Sequence, residues 1–196
     1  MIILSNNFVL IGDSLTFGYG ISKSKSWAHG LKNYFISKNI NYTVFNKGIN
    51  GNTTTDMLNR FTEDVISLNP SKIFIMGGTS DLLSNHSINS IIDNIELMIK
   101  EGLSKTKDIT IGIPPRVIKE DAKRLFMPSL TYDYCEENLP KLKEALIKLC
   151  TEYNIKFIDF YSLTLNNNDI YIDGIHFNNE GHEILLDEFI NESIFN

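Results

Sequence analysis

Four short stretches of the sequence carry side chains suited to nucleophilic chemistry. They are Gly12-Asp13-Ser14-Leu15, the run from Asn46 to Thr54, Gly77-Gly78-Thr79-Ser80-Asp81, and Asp173-Gly174-Ile175-His176. A serine hydroxyl attacks a carbonyl only when a base lies within hydrogen-bond reach, and an imidazole oriented by a carboxylate is such a base. Taken singly, each stretch is equally well explained as a turn, in which Asp13 or Ser14 caps a backbone N–H and the glycines supply positive φ.

Apolar runs that alternate with helical patterns predict the elements that would position these stretches. Strands are predicted over Phe8–Ile11, Tyr42–Phe45, Ile73–Met76, Ile109–Ile113 and Phe157–Phe160. Helices are predicted around Trp27–Phe35, Thr53–Leu68, Ile88–Leu103, Leu139–Leu149 and Ile184–Ile190. This alternation predicts an α/β fold with a parallel sheet covered by helices on both faces. Ligands of such sheets bind beyond the carboxyl ends of the strands, where the four stretches lie.

The segment Pro114–Tyr134 is the one long irregular stretch, and such segments are usually functional or contain a short helix. Its apolar side chains, Phe126 and Met127 among them, are candidates for the wall of an acyl pocket. The alternative is that they pack the loop onto the body of the domain. The basic side chains of this segment could meet an anionic group or only solvate the loop.

Composition limits the class of protein. The 196 residues suit a single domain spanning 1–196, and 42% hydrophobic with 21% charged residues is a globular composition. A net charge of −6 with both signs interspersed argues against a nucleic-acid partner. No run of about 18 apolar residues predicts a membrane span. The first residues lack the pattern of a signal peptide, so we expect a cytoplasmic location.

The two cysteines, Cys135 and Cys150, are expected to be reduced packing residues. On one helix they would lie ~22 Å apart, whereas a disulfide requires Cα atoms roughly 6 Å apart. No CxxC motif or Cys/His cluster suggests a metal site. The sequence therefore predicts neither a metal nor another cofactor, and it gives no indication of oligomeric state.

Together, and in this order, the four stretches resemble the GDSL, or SGNH, hydrolase family. The resemblance covers Phe8 to His182, and its most specific motifs are Gly12-Asp13-Ser14-Leu15 and Asp173-x-x-His176. It implies a flavodoxin-like three-layer α/β/α sandwich with a five-stranded parallel sheet. It also implies an esterase, lipase or acylhydrolase that acts on a small-molecule ester or thioester.

By this resemblance Ser14 is the nucleophile and His176 is its base, oriented by Asp173. Of the four histidines, only His176 follows an aspartate by three residues in a turn-forming context. That spacing lets Asp173 reach Nδ1–H while Nε2 faces Ser14. We expect His182, by contrast, to pack locally in the first turn of the last helix.

The resemblance also implies an oxyanion hole formed by the backbone N–H groups of Ser14 and Gly51 and by a side-chain amide after the third strand. Gly48 is the nearby alternative to Gly51, but the run Gly51-Asn52-Thr53-Thr54 fits the family pattern better. Here the sequence departs from the family, because Ser80 stands where the Gly-x-Asn-Asp motif has asparagine. Serine can donate one hydrogen bond with a shorter reach. The alternative is that Ser80 only caps the loop and that Asn52 or a water molecule supplies the third hydrogen bond. Asp81 is expected to brace the loop.

Three classes of function fit these residues. The first is a hydrolase of small esters, and the second is an acyltransferase in which an alcohol accepts the acyl group from Ser14. The third is a catalytically weakened ligand-binding protein, which the Ser80 departure suggests and the intact triad argues against.

Overall fold

The computed structural model describes residues 6–194. The interpretation of the first residues as lacking a signal peptide rests partly on residues 1–5, which lie outside the described residues. The strands are β1 (Asn7–Gly12), β2 (Thr43–Gly48), β3 (Pro70–Met76), β4 (Ile109–Ile113) and β5 (Lys156–Asp159). The α-helices are α1 (Ser14–Phe17), α2 (Trp27–Ser37), α3 (Thr54–Asn59), α4 (Phe61–Asp64), α5 (Thr79–Leu83), α6 (Ile88–Gly102), α7 (Lys119–Leu125), α8 (Leu130–Tyr153), α9 (Phe160–Thr164) and α10 (Asn179–Ile194). Two 3₁₀ turns span Lys23–Lys25 and Ile66–Leu68.

The five strands form one parallel sheet in the order β2-β1-β3-β4-β5. This is the flavodoxin-like order: β2 is added on one side of β1, and β3 to β5 are added on the other side, so the switch point of the sheet lies between β1 and β3. Gly12 at the end of β1 is in register with Gly48 of β2 and Met76 of β3. The loops that follow these three strands therefore emerge side by side.

Helices cover both faces of the sheet because its central strands are apolar on both sides. Along β1, Phe8 and Leu10 belong to one buried cluster, while Val9 and Ile11 belong to the other. The first cluster includes residues of α2 and α10, and the second includes residues of α3 to α8. Side chains of a strand alternate between faces, so burial of both sets requires a helical layer on each side. The predicted three-layer α/β/α sandwich is confirmed.

The predicted helix over Thr53–Leu68 is wrong as a single element. The chain forms α3, α4 and a 3₁₀ turn instead, and α3 is separated from α4 by Arg60 with φ −107° and ψ 3°. The Arg60 guanidinium donates to the carbonyls of Gly12 and Lys47. These acceptors lie at the ends of β1 and β2. The interruption of the predicted helix at Arg60 therefore coincides with tertiary contacts that no local sequence pattern reveals.

The segment predicted to be irregular contains α7 and the beginning of α8, which starts well before the predicted Leu139. Pro140 lies inside α8 and can donate no backbone hydrogen bond there. Cys135 and Cys150 both lie on α8, buried and unpaired, as expected. Burial raises the pKa of both thiols to about 12. Within residues 6–194, no helix combines the length and apolar character needed to span a bilayer.

Candidate active site

Ser14 lies at the first position of α1, directly beyond the carboxyl end of β1. Asp13 forms the N-cap, and its carboxylate accepts a hydrogen bond from the N–H of Leu15 at 2.9 Å. A Cβ at Gly12 would lie 2.6 Å from the carbonyl oxygen of Met76, so this tight turn requires glycine. Burial raises the pKa of Asp13 to about 6. The turn presents the Ser14 side chain at the switch point of the sheet.

Asp173 and His176 lie at the tip of a short hairpin whose two sides are joined by the antiparallel bridge between Tyr171 and Phe177. One Asp173 oxygen, Oδ1, accepts hydrogen bonds from the backbone N–H groups of Ile175 at 2.9 Å and His176 at 2.7 Å. The other, Oδ2, lies 2.7 Å from Nδ1 of His176. The carboxylate thus fixes both the turn and the imidazole.

The hairpin brings His176 to Ser14, although 162 positions separate them in the sequence. His176 Nε2 lies 2.9 Å from Ser14 Oγ. Burial opposes ionisation of Asp173, but hydrogen bonds from the side chain and backbone of His176 outweigh it and hold the pKa of this carboxyl below its usual range. The structure therefore places the three predicted residues in one continuous hydrogen-bonded relay.

Gly51 and Ser80 line the same cavity as Ser14 and His176. Gly51 has φ +76°, and no heavy atom lies within 4 Å of the position that a Cβ would take, so its backbone faces open space. Among the described residues, the Ser80 hydroxyl has no hydrogen-bond partner, and the N-cap of α5 is Gly78. No bond in this region supports the alternative that Ser80 caps the loop.

The expectation that Asp81 braces this loop is confirmed. Its side chain is fully buried and accepts hydrogen bonds from Thr54, the first residue of α3. Asn52, which follows Gly51, accepts a hydrogen bond from Nε of Arg60 at 2.8 Å through its side-chain oxygen, and this bond does not involve the NH2 group with which Asn52 could donate. The side-chain carbonyl of Asn52 is therefore committed to bracing the loop after β2.

The cavity beside Ser14 has a volume of about 250 Å³. It is lined by Ser14, Tyr19, Asn50, Gly51, Thr79, Ser80, Leu83, Ile175 and His176. Phe126 and Met127 are not among these residues, and Met127 is 85% exposed. The cavity beside Ser14 therefore gives no support to the prediction that this pair, which follows the end of α7, forms the wall of an acyl pocket.

Sequence reasoning missed several residues of the cavity, notably Tyr19, Leu83 and Ile175. A signal for Tyr19 was present, since it is flanked by Gly18 and Gly20, both of which have positive φ. Leu83 and Ile175 are apolar residues next to the motifs, and nothing local distinguishes them from core residues.

His182 lies in the first turn of α10, as expected, but it packs against a residue distant in the sequence and not locally. It is 2% exposed, and its Nδ1 accepts a hydrogen bond from the N–H of Trp27 at 3.4 Å. Burial lowers its pKa to about 4, so this imidazole is neutral at physiological pH. Within the described part of the chain, no group of three or more His, Cys, Asp or Glu side chains could hold a metal ion.

Comparison with known proteins gives concordant matches. The GDSL-like lipase/acylhydrolase family matches residues 10–184. An arylesterase of Vibrio mimicus is 29% identical over 114 residues, so the match spans 57% of this chain and 57% of that relative. An acetylxylan esterase of Geobacillus stearothermophilus is 26% identical over 76% of this chain and 71% of its own. The structure of a lipase/acylhydrolase from Enterococcus faecalis superposes with a TM-score of 0.80 at 25% identity, covering 95% of this chain and 94% of the other.

Proposed function

The chain belongs to the GDSL-like lipase/acylhydrolase family, whose name denotes carboxylic ester hydrolases, and we propose that it hydrolyses small esters through an acyl-enzyme on Ser14. The observation that carries the proposal is the relay from Asp173 through His176 to Ser14, with contacts of 2.7 and 2.9 Å. This arrangement supplies a nucleophile, its base and the group that orients the base.

In the first step, Ser14 Oγ attacks the carbonyl carbon of the ester and its proton passes to Nε2 of His176. The imidazolium that forms is stabilised by the ionised Asp173. The carbonyl oxygen becomes an oxyanion, which accepts hydrogen bonds from the N–H groups of Ser14 and Gly51 and from the Ser80 hydroxyl.

In the second step, the tetrahedral intermediate collapses and the bond to the alcohol oxygen breaks. His176 Nε2 donates its proton to that oxygen, which leaves the acyl group on Ser14. A water molecule then attacks the acyl carbon while His176 accepts one of its protons. The second collapse releases the carboxylic acid and returns the proton to Ser14 Oγ.

The cavity has to hold the acyl group together with the first atoms of the alcohol part, which favours a short acyl group. Its volume of about 250 Å³ is small beside ordinary ligand pockets, which hold roughly 300–1,000 Å³. Leu83 and Ile175 give it apolar lining. An acetyl ester, the kind named in the acetylxylan esterase relative, fits these limits.

Hydrolysis of p-nitrophenyl acetate by the wild type and by Asp173→Asn tests the proposal. Asparagine keeps the shape of the side chain but stabilises the wrong tautomer of His176, so kcat should fall by about 10⁴. Asp169→Asn is the matched control, because Asp169 is an exposed carboxylate at the base of the same hairpin. Wild-type kcat in a folded Asp173→Asn protein would contradict the proposal.

A further inference from the structure

Tyr19 contacts the catalytic histidine but has no part in the relay. Its ring centroid lies 4.5 Å from that of His176, with an angle of 47° between the ring planes. The side chain also lines the cavity that contains Ser14. An aromatic ring is thus placed beside the atom that must donate a proton to the departing alcohol.

The segment around Tyr19 is bound to Ser14 and lies against the hairpin that carries Asp173 and His176. The N–H of Tyr19 donates to the carbonyl oxygen of Ser14 at 3.1 Å, and the N–H of Gly18 donates to the same oxygen at 2.9 Å. Gly20 follows with φ +90°, and a Cβ there would lie 2.2 Å from Cδ1 of Ile172, the residue before Asp173. Because both flanking glycines have a positive φ, which favours glycine, the backbone that carries the ring has a defined course beside Ser14 and Ile172.

Tyr19 is nonetheless 44% exposed, which distinguishes it from a core residue. One part of the ring packs against His176, and another part faces the cavity and solvent. A ligand that covered this surface would remove apolar area from water, which favours binding.

The reaction geometry assigns this surface to the alcohol part of the ester. The departing oxygen must come within about 3 Å of His176 Nε2 to accept its proton. Tyr19 lines the same cavity and lies against the same imidazole, so the atoms bonded to that oxygen come within van der Waals reach of the ring. The acyl group is directed instead by the carbonyl oxygen, which must reach the N–H groups of Ser14 and Gly51.

We propose that Tyr19 is a specificity-determining residue that stacks on the alcohol part of the ester and selects ring-shaped alcohols over open-chain ones. The inference rests on the proposed function and deepens it. Aryl and pyranosyl groups share the required chemistry, since both present a broad face of carbon atoms to an aromatic ring. An open-chain alcohol covers less of that face.

The test holds the acyl group constant and varies the alcohol. The substrates are phenyl acetate, a mono-acetylated methyl xylopyranoside and a mono-acetylated open-chain pentitol, and the readout is kcat/KM, which reports acylation while the alcohol is still attached. Tyr19→Leu should lower kcat/KM about two- to tenfold for the ring substrate that the enzyme uses and by less than twofold for the pentitol ester. Tyr19→Phe should keep the selectivity, because it keeps the ring.

Phe17→Leu is the control, since Phe17 is 49% exposed in the same segment and does not line the cavity. A loss confined to phenyl acetate assigns the site to aryl alcohols, and a loss confined to the xylopyranoside assigns it to sugars. Equal losses of kcat/KM on all three esters in Tyr19→Leu, or no loss on any of them, would overturn the inference about Tyr19. Neither outcome would contradict the proposed esterase activity. Absence of wild-type turnover on every ester would contradict the proposed function and this inference with it.

Discussion

Asp81 accepts two hydrogen bonds from Thr54, one from its backbone N–H at 2.8 Å and one from its hydroxyl at 2.7 Å. Both residues are fully buried. Asp81 directly follows Ser80, and Thr54 ends the loop that contains Gly51. The pair therefore ties together the two loops that supply the proposed oxyanion donors other than Ser14.

Thr54→Val should weaken this tie without changing the volume of the side chain. The variant loses the hydroxyl bond to a buried carboxylate, so we expect the free energy of unfolding to fall by about 2 kcal/mol. Since the two loops would separate more easily, kcat should fall more than KM rises. Urea denaturation and p-nitrophenyl acetate kinetics measure the two effects. Thr55→Val is the control at an exposed neighbour, and wild-type stability and kcat in Thr54→Val would show that the tie is dispensable.

Ser80 should contribute to the rate rather than to binding. Loss of an oxyanion donor typically lowers kcat by about 10²–10³ with little change in KM, and a serine of short reach should lie at or below the lower end. Ser80→Ala should therefore lower kcat selectively, whereas Ser80→Asn should keep or raise it. Ser84→Ala, at an exposed serine that ends the same helix, is the control. A lower melting temperature with unchanged kcat in Ser80→Ala would instead assign Ser80 to the loop.

The size of the cavity should limit the acyl chain. Across p-nitrophenyl esters from acetate to octanoate, we expect kcat/KM to fall with chain length because the cavity holds only about 250 Å³. Leu83→Ala should shift the preference towards longer chains by widening the lining. Met127→Ala should leave the profile unchanged, since Met127 lies outside the lining. A shift in the Met127 variant alone would return the acyl pocket to the segment after β4.

Two buried groups should give opposing dependences of stability on pH. Burial raises the pKa of Asp13 from 3.8 to about 6, so the folded protein retains this proton over a range where the unfolded chain releases it. Its contribution makes stability fall as pH rises from about 4 to about 6. Burial lowers the pKa of His182 from 6.5 to about 4, so the unfolded chain binds this proton more readily. Its contribution makes stability rise with pH from about 4 to about 6.5.

Single variants should separate the two slopes. Asp13→Asn keeps the acceptor for the Leu15 N–H but removes the titrating carboxyl, so the remaining contribution of His182 should make the free energy of unfolding rise with pH. In His182→Gln the remaining contribution of Asp13 should make the free energy of unfolding fall with pH. Each slope should span up to about 3 kcal/mol over its range. The measurement is the free energy of urea unfolding between pH 4 and pH 7, with Asp93→Asn as an exposed control for the lost charge. A pH dependence equal to that of the wild type in both variants would refute these assignments.

The sheet was predictable because its three central strands, β1, β3 and β4, are buried on both faces and therefore appear as apolar runs. β4 was predicted with the bounds it has, Ile109–Ile113, since two prolines follow it. The Thr53–Leu68 helix was wrong because Arg60 binds carbonyls at the ends of β1 and β2, and the spacing of apolar residues carries no information on such contacts. The start of α8 was placed too late, in part because Pro140 resembles a residue of a first turn.

The residues of the candidate site that lie within sequence motifs were predictable. The residues that reach the site only through tertiary packing were not. Ser14, Asp173 and His176 lie in short motifs at strand ends, and the structure brings them within hydrogen-bond distance. Tyr19 acquires its place only because the hairpin carrying His176 folds over the loop after α1. The assignment of Met127 to a pocket wall stays a prediction, because an apolar side chain in a long segment can face solvent, as Met127 does here, as readily as a pocket.

Labelling with a fluorophosphonate probe at neutral pH tests the central claim most directly, because the probe reacts only with a serine whose hydroxyl is activated. The 2.9 Å contact between Ser14 Oγ and His176 Nε2 is the reason to expect such activation. Intact-mass analysis should show one adduct on the wild type, mapped to Ser14 by peptide analysis, and none on Ser14→Ala. Equal labelling of Ser14→Ala would contradict the assignment of Ser14 as the nucleophile.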